Sequence, residues 1–160
     1  MITSNKKRAI YSGTFDPITN GHIDIIKRAL SVFDEVVIAV ATSSAKNPMF
    51  TSEQRVDLIQ KATKDLDGII IKSFNNLLVD FAKEEQITNI IRGLRAVSYF
   101  EYELQMGYAN SSLDKNIETI YFMPSLENAF ISSSIIRELI KFNGDFSHLV
   151  PLEIIDDLSS

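Results

Sequence analysis

Residues able to handle a phosphate group are concentrated near the start of the chain, in residues 12–22 (SGTFDPITNGH). The apolar tripeptide before them (AIY) predicts a strand, and Gly13 and Pro17 predict a tight turn. An apolar-periodic helix follows, whose first turn offers unpaired N–H groups and a partial positive charge. His22, in that turn, can add a donor or a proton. A strand, a glycine turn and a helix start together predict a phosphate-binding corner, which is neither a G-x-x-x-x-G-K-[ST] loop nor a G-x-G-x-x-G turn.

Further cations follow the ends of other predicted strands. Lys46 follows the second strand, Arg92 ends the fourth, and residues 124–134 follow the fifth. In an open parallel sheet these carboxyl ends share one edge, and ligands bind there. Isolated cations in a chain of net charge −5 suit a small anionic ligand better than a long polyanion. We therefore expect one anion-binding pocket at this edge, with cations from the set His22, Lys46, Arg92, Arg95 and Arg137.

Each of these signals also has a purely structural interpretation. An arginine that ends an apolar strand, like Arg92, would be half-buried unless it meets an anion or a carboxylate. Arg95 could instead form a surface ion pair with Glu101 or Glu103 on the next helix. The serines at 132–134 could serve only as a helix N-cap.

Five short apolar runs predict the strands that bring these residues together, at residues 9–11, 36–41, 68–73, 88–92 and 117–122. Such near-continuous runs are typical of parallel strands that are buried on both faces. Helical patterns alternate with them, and a last short helix follows Pro151. This alternation predicts a single-domain, Rossmann-like, three-layer α/β/α fold with a five-stranded parallel sheet. Aromatic residues at helical spacing, including Phe100 and Tyr108, are expected in the core.

The overall composition narrows the class of protein. The chain has 160 residues, of which 45% are hydrophobic, and it suits one domain over 1–160 with a C-terminal helical segment from about residue 132. It has no cysteine, which excludes disulfides, thiolate metal sites and cysteine nucleophiles and favours a cytoplasmic location. No apolar stretch approaches the ~18 residues of a membrane span. The acidic balance argues against a general nucleic-acid binder, so neither a membrane nor a nucleic acid is expected as a partner.

Five motifs, in order, resemble those of one enzyme family. Residues 11–22 (YSGTFDPITNGH) resemble the (T/H)-x-G-H nucleotidyltransferase signature, and residues 131–137 (ISSSIIR) resemble its I-S-S-[ST]-x-x-[RK] partner. The segments 46–50 (KNPMF), 91–97 (IRGLRAV) and 100–105 (FEYELQ) are similar to those of the phosphopantetheine adenylyltransferases. The resemblance covers nearly the whole chain.

The resemblance implies transfer of the adenylyl group of ATP to 4′-phosphopantetheine, which gives dephospho-coenzyme A and pyrophosphate. Mg²⁺ would be bound through ATP, with no metal ligands from the chain, and coenzyme A could occupy the site as a feedback ligand. The chain would form a homo-oligomer, a hexamer. The implied catalytic residues are His22, Thr14, Lys46 and Arg92, and the implied substrate-binding residues are Thr14, Lys46, Leu78 and Arg92. The implied ATP-binding residues are Thr14, Phe15, His22, Gly93, Leu94, Arg95, Glu103, Asn128, Ala129, Phe130, Ile131, Ser132, Ser133 and Ser134.

The same resemblance implies a role for each phosphate-binding side chain. Thr14 and His22 would hold the α-phosphate of ATP as it is attacked. Lys46 and Arg92 would hold the phosphate of phosphopantetheine, with Leu78 near the pantetheine arm. The attacking phosphate needs no strong base at neutral pH, so cations and N–H donors that screen two polyanions are the chemistry required.

Four residues depart from the family's pattern. Asn128 and Ala129 stand where many members carry an aromatic residue and a serine, Ser12 where proline is common, and Leu78 where some relatives have methionine. The generic signature leaves two alternatives open. One is another adenylyl- or cytidylyltransferase, for example one acting on nicotinamide mononucleotide, and the other is a non-catalytic protein that binds a nucleotide or coenzyme A.

Overall fold

Five parallel strands form the sheet at the centre of the protein. In a computed structural model that describes residues 5–42, 47–94 and 100–159, they are β1 (Arg8–Gly13), β2 (Glu35–Ala41), β3 (Ile69–Phe74), β4 (Asn89–Gly93) and β5 (Glu118–Phe122). Every predicted strand is confirmed, with bounds that differ by one or two residues. The spatial order is β3-β2-β1-β4-β5. Because the chain changes direction across the sheet between β1 and β4, the loops after these two strands diverge and leave a crevice at their carboxyl ends.

The described helices are α1 (Asn20–Leu30), α2 (Ser52–Ala62), α3 (Leu78–Glu85), α4 (Phe100–Leu113), α5 (Ser133–Lys141) and α6 (Ile155–Leu158). Reciprocal side-chain bonds fix two helix starts, between Thr19 and His22 at α1 and between Thr51 and Gln54 at α2. The second of these capping boxes is the one that its spacing predicts. Within the described ranges, no helix combines the length and the apolar character that crossing a bilayer requires.

Two apolar layers cover the two faces of the sheet, which confirms the three-layer architecture. On one face, strand residues such as Ile38 and Ile91 pack with buried residues of α1, α2, α5 and α6. On the other face, Ile10 and Ile90 pack with Phe81 and its neighbours on α3. Successive side chains of a strand point to opposite faces, so β1 to β4 each supply both layers. The uninterrupted apolar runs in the sequence follow from this two-sided burial.

Helix α4 departs from the prediction that its aromatic residues belong to the core. None of its residues is buried, and Phe100 and Tyr108 are 52% and 74% exposed. Phe100, Leu104 and Tyr108 have helical spacing, but Tyr102 and Met106 lie on the opposite side of the helix. No single face of α4 therefore collects the apolar residues, and the helix leaves large apolar side chains at the surface.

Candidate active site

A cleft of about 790 Å³ opens at the carboxyl ends of β1 and β4, where the strand order reverses. Its walls come from the turn after β1, the start of α1, residues 102–110 of α4 and the segment from residue 128 into α5. His22 and Arg92 both line it, so two cations that are far apart in the sequence share one cavity. The volume lies within the range of small-molecule sites.

His22 is held by backbone and aromatic contacts at the start of α1. The Thr19 N–H donates to its Nδ1 at 3.0 Å, and the His22 N–H donates to Thr19 Oγ1 at 3.3 Å. Because Nδ1 accepts, the neutral ring carries its proton on Nε2. The buried ring of Phe15 packs against the imidazole with ring centroids 4.9 Å apart, and it also contacts Tyr11. Phe15 therefore supports the orientation of the imidazole.

Arg92 is the next-to-last residue of β4, and its guanidinium meets the carboxylate of Glu103 on α4. Nε donates to Glu103 Oε2 at 2.9 Å, Nη2 donates to Oε1 at 2.8 Å, and Nη1 donates to the Ser12 carbonyl at 3.1 Å. Burial disfavours the charge of this group, but the hydrogen bonds to Glu103 outweigh it, so the pKa of Arg92 is raised above its ordinary value. Glu103, considered above as a partner for Arg95, forms a bidentate pair with Arg92.

A glycine at the end of β4 allows α1 to approach this strand closely. A Cβ at Gly93 would lie 2.8 Å from Ile25 Cγ1, which is shorter than an ordinary contact. At Gly21 a Cβ would lie 3.5 Å and 3.7 Å from the carbonyl oxygens of Asn128 and Ile131, which is ordinary van der Waals contact. Helix α1 therefore lies against both the end of β4 and the 128–131 segment, and its close approach to β4 depends on Gly93.

Asp24, on α1, anchors the segment that carries most of the implied ATP-binding residues. Its Oδ2 accepts from the Ser125 N–H at 2.7 Å, the Ser125 hydroxyl at 2.9 Å and Asn128 Nδ2 at 3.1 Å. Its Oδ1 accepts from Arg28 Nε at 2.8 Å. Burial alone would raise the pKa of Asp24, but these hydrogen bonds outweigh it and lower the pKa from 3.8 to about 2. The Asn128 side chain is committed to this network.

Each of the three serines at the start of α5 makes a hydrogen bond within the protein. Ser132 caps the helix and accepts an N–H three residues later at 3.2 Å, which confirms the N-cap interpretation for this serine. The Ser133 hydroxyl donates to the Pro17 carbonyl at 2.8 Å, and Ser134 Oγ accepts from Arg137 Nη2 at 3.1 Å. The bond from Ser133 fastens the start of α5 to the turn after β1.

Asp16, which the sequence marks only as a turn residue, holds the segment before α2. Its buried carboxylate accepts the N–H of Met49 at 2.8 Å and the N–H of Phe50 at 2.9 Å. Its own carbonyl accepts from Arg137 Nη1 at 2.7 Å. The turn after β1 is therefore bonded both to α5 and to the segment that follows residue 46.

Arg55 is a residue of this region that the sequence does not reveal. It lies on α2, is 2% exposed, and donates to the carbonyls of Thr14, Ala41 and Phe50. A charged residue in a helix is ordinarily expected at the surface. No signal in the sequence marks it as buried.

The described candidate residues meet in the cleft almost without exception. Leu94 does not line it, and its N–H bonds to the Phe122 carbonyl at 2.9 Å. Lys46 and Arg95 lie outside the described residues. The roles of the individual residues stay predictions. The cleft is lined by Thr14, Phe15, His22, Leu78, Arg92, Gly93, Glu103, Asn128, Ala129, Phe130, Ile131, Ser132, Ser133 and Ser134.

Carboxylates of the cleft are engaged by the protein itself. Asp16 and Glu103 line it, and both accept hydrogen bonds from neighbouring groups, as described above. Within residues 5–42, 47–94 and 100–159, no three His, Cys, Asp or Glu side chains lie close enough together to hold a metal ion.

The chain is similar to known proteins over nearly its full length. Residues 10–139 match the model of the cytidylyltransferase-like family. The phosphopantetheine adenylyltransferase of Nautilia profundicola is 64% identical over 151 residues, which are 94% of this chain and 98% of that protein. The phosphopantetheine adenylyltransferase of Helicobacter hepaticus is 59% identical over 95% of this chain and 92% of its own length. That of Helicobacter pylori strain J99 is 56% identical over 96% of this chain and 98% of its own length.

A solved structure shares the fold. The lipopolysaccharide core biosynthesis protein from Thermoplasma volcanium GSS1 matches with a TM-score of 0.56, over 75% of this chain and 97% of that one. Its sequence identity is 23%, so this similarity concerns the fold alone.

Proposed function

Because the chain belongs to the cytidylyltransferase-like family, and within it to the phosphopantetheine adenylyltransferases, we propose that it transfers the adenylyl group of ATP to 4′-phosphopantetheine. The products are dephospho-coenzyme A and pyrophosphate, and the reaction is a step of coenzyme A biosynthesis. The observation that carries this proposal is the meeting of His22, Arg92 and the serine-rich start of α5 in one cleft. Two polyanionic substrates need cations and N–H donors of this kind on several sides.

The reaction is an in-line displacement at the α-phosphorus of ATP. An oxygen of the phosphopantetheine phosphate forms a bond to this phosphorus, and the bond to the pyrophosphate oxygen breaks, so pyrophosphate leaves with the electron pair. The attacking oxygen already carries charge, so no side chain has to remove a proton from it. The main tasks of the protein are to position both substrates and to stabilise the charge of the transition state.

His22 and Thr14 are the groups proposed to act on the reacting α-phosphate. The bond from Thr19 to Nδ1 supports this role for His22, because it leaves the proton of the neutral ring on Nε2. Such a donor strengthens its interaction as charge accumulates on the phosphate oxygens. The start of α1 adds its backbone N–H groups and partial positive charge.

Arg92 and Lys46 are proposed to hold the phosphate of phosphopantetheine, and Leu78 to contact its pantetheine arm. The position of Arg92 at the end of β4, with its guanidinium oriented by Glu103, supports this role. Gly93, Arg95, Glu103 and the 128–134 segment are proposed to hold ATP. The Asn128 side chain is occupied by Asp24, whereas the ring of Phe130 is exposed beside it and offers a stacking surface to adenine.

Mg²⁺ fits this arrangement as an ion that arrives with the nucleotide. The two carboxylates of the cleft already accept hydrogen bonds from the protein, so the described residues provide no carboxylate cage of their own. Mg²⁺ ordinarily keeps water and substrate phosphate oxygens as most of its ligands. Bound in this way it would neutralise part of the charge on ATP and on the departing pyrophosphate.

A pair of assays tests the proposed function. The protein is mixed with ATP, Mg²⁺ and 4′-phosphopantetheine, and pyrophosphate release and dephospho-coenzyme A are measured; the same mixture with nicotinamide mononucleotide is the parallel reaction. We expect turnover with phosphopantetheine only. Turnover with nicotinamide mononucleotide alone would identify a different nucleotidyltransferase, and no turnover with either substrate would leave a non-catalytic binding protein.

We also propose that the chain forms a cytoplasmic hexamer and that coenzyme A competes for the cleft as a feedback ligand. The exposed apolar residues of α4 support the oligomer, since a surface of this kind suits burial against a second copy of the chain. Sedimentation equilibrium should give a mass six times that of the chain, and Tyr108→Lys should lower it. A wild-type mass equal to that of a single chain contradicts this part of the proposal.

A further inference from the structure

We propose that Arg55 is a positioning residue for the adenylyl transfer, because it sets the backbone that presents Thr14 to the cleft. Its Nη1 donates to the Thr14 carbonyl at 2.8 Å and to the Ala41 carbonyl at 3.0 Å. Its Nε donates to the Phe50 carbonyl at 3.1 Å. These carbonyls belong to the turn after β1, the end of β2 and the segment before α2, so one side chain joins three segments at the carboxyl edge of the sheet.

The hydrogen bonds to these three carbonyls are what stabilises the buried Arg55 guanidinium. It is 2% exposed, and among the described residues no carboxylate lies within ion-pair distance of it. A buried cation is unfavourable unless polar groups replace its water, and here three carbonyl oxygens do so. The guanidinium reaches these carbonyls with two different nitrogens, Nη1 for Thr14 and Ala41 and Nε for Phe50, and the single nitrogen of a lysine ammonium does not reproduce this arrangement.

The contacts of Asp16 define the same segments from the opposite side. The Asp16 carboxylate accepts the N–H of Phe50, and Arg55 binds the carbonyl of the same residue. Thr14 and Asp16 belong to one turn, and this turn also holds α5 through Arg137. Loss of the Arg55 contact would therefore let the Thr14 backbone move while these other bonds keep the fold together.

This inference rests on the proposed function, in which the Thr14 hydroxyl acts on the α-phosphate. Misplacement of a catalytic group by about 1 Å can reduce a rate by about 100-fold. We expect Arg55→Lys and Arg55→Met to lower kcat by roughly 10- to 100-fold, with the KM for ATP changed less than about twofold. Their Tm should fall by roughly 5–10 °C because buried carbonyls lose their donor.

A double-mutant cycle separates positioning from a general loss of stability. In a Thr14→Ala background no hydroxyl remains to be misplaced, so Arg55→Lys should lower kcat further by less than about threefold. Thr63→Val is the matched control, since Thr63 is the C-cap residue of α2 and its buried hydroxyl donates to the Ile59 carbonyl of that helix at 2.7 Å. This control should lower Tm and leave kcat and both KM values unchanged.

The outcomes are distinguishable. Wild-type kcat in Arg55→Lys, or effects that multiply fully in the double variant, would overturn the role of Arg55 while the proposed function stands. If both Arg55 variants are unfolded at 25 °C, Arg55 is required for folding and the inference is wrong. An inactive wild-type protein contradicts the proposed function and this inference with it. Full activity in Thr14→Ala contradicts the role of Thr14 and therefore also this inference.

Discussion

Replacing Asp24 by asparagine should destabilise the protein by an amount that depends on pH. In the folded state the pKa of Asp24 is about 2, against 3.8 for the ordinary carboxyl. At 1.36 kcal/mol for each pKa unit, this difference corresponds to about 2 kcal/mol of stability from the ionised form. The side chain is 13% exposed, so solvent screens these interactions little. Asparagine also places an N–H₂ group where Ser125 already donates twice.

The sign of the pH dependence follows from a lowered folded-state pKa. The stabilisation from the ionised Asp24 is fully present above the unfolded-state pKa of 3.8 and is lost as the pH falls through the folded-state pKa of about 2. The gap in unfolding free energy between the wild-type protein and Asp24→Asn should therefore be about 2 kcal/mol at pH 5–7 and should shrink steadily between about pH 4 and pH 2.

Urea unfolding followed by circular dichroism, at constant ionic strength and at several pH values, measures this gap. Asp57→Asn is the matched control, because Asp57 is 57% exposed and pairs with Lys61 on the surface of α2. We expect the control to change stability by less than about 0.5 kcal/mol. A gap for Asp24→Asn that stays the same from pH 7 to pH 3 would refute the assignment of an ionised hydrogen-bonded network.

Three further substitutions test the site. His22→Ala should lower kcat by roughly 1,000-fold, which corresponds to about 4 kcal/mol of added barrier, with little change in ATP affinity. Steady-state kinetics measure this, and near-normal turnover would show that His22 has no part in the mechanism. Lys46→Ala should chiefly damage phosphopantetheine use, and unchanged kcat and KM for that substrate would contradict its role. Gly93→Ala should cost about 1–3 kcal/mol in urea unfolding because its Cβ would lie 2.8 Å from Ile25 Cγ1, so wild-type stability would show that α1 yields easily.

The sheet and the location of the cleft were predictable because they depend on local patterns. Continuous β-branched runs require burial on both faces, and the end of each run marks where a loop must begin. Since parallel strands share one carboxyl edge, His22 and Arg92 could be placed together from the strand positions alone. The structure confirms this placement.

Side-chain partners were not predictable, since they depend on distances between elements. The sequence offers Arg95 or ATP as partners for Glu103, whereas its bidentate bond to Arg92 becomes apparent only when the position of α4 is known. The burial of Arg55 depends on three carbonyls from three segments, none of which leaves a mark in the sequence. The exposure of Phe100 in α4 was likewise not predictable, because helical spacing alone does not show whether another element covers that side of the helix.

Because Arg92 forms a salt bridge with Glu103, a ligand of the cleft must compete with Glu103 for the Arg92 guanidinium. The Glu103 carboxylate already accepts two hydrogen bonds from this guanidinium, so a ligand that binds Arg92 must share it with Glu103 or displace Glu103. A doubly charged phosphate monoester can displace Glu103 because it also forms charged, bidentate hydrogen bonds to arginine. An uncharged alcohol cannot form such bonds. We expect no measurable binding of unphosphorylated pantetheine, because that molecule has no phosphate with which to displace Glu103.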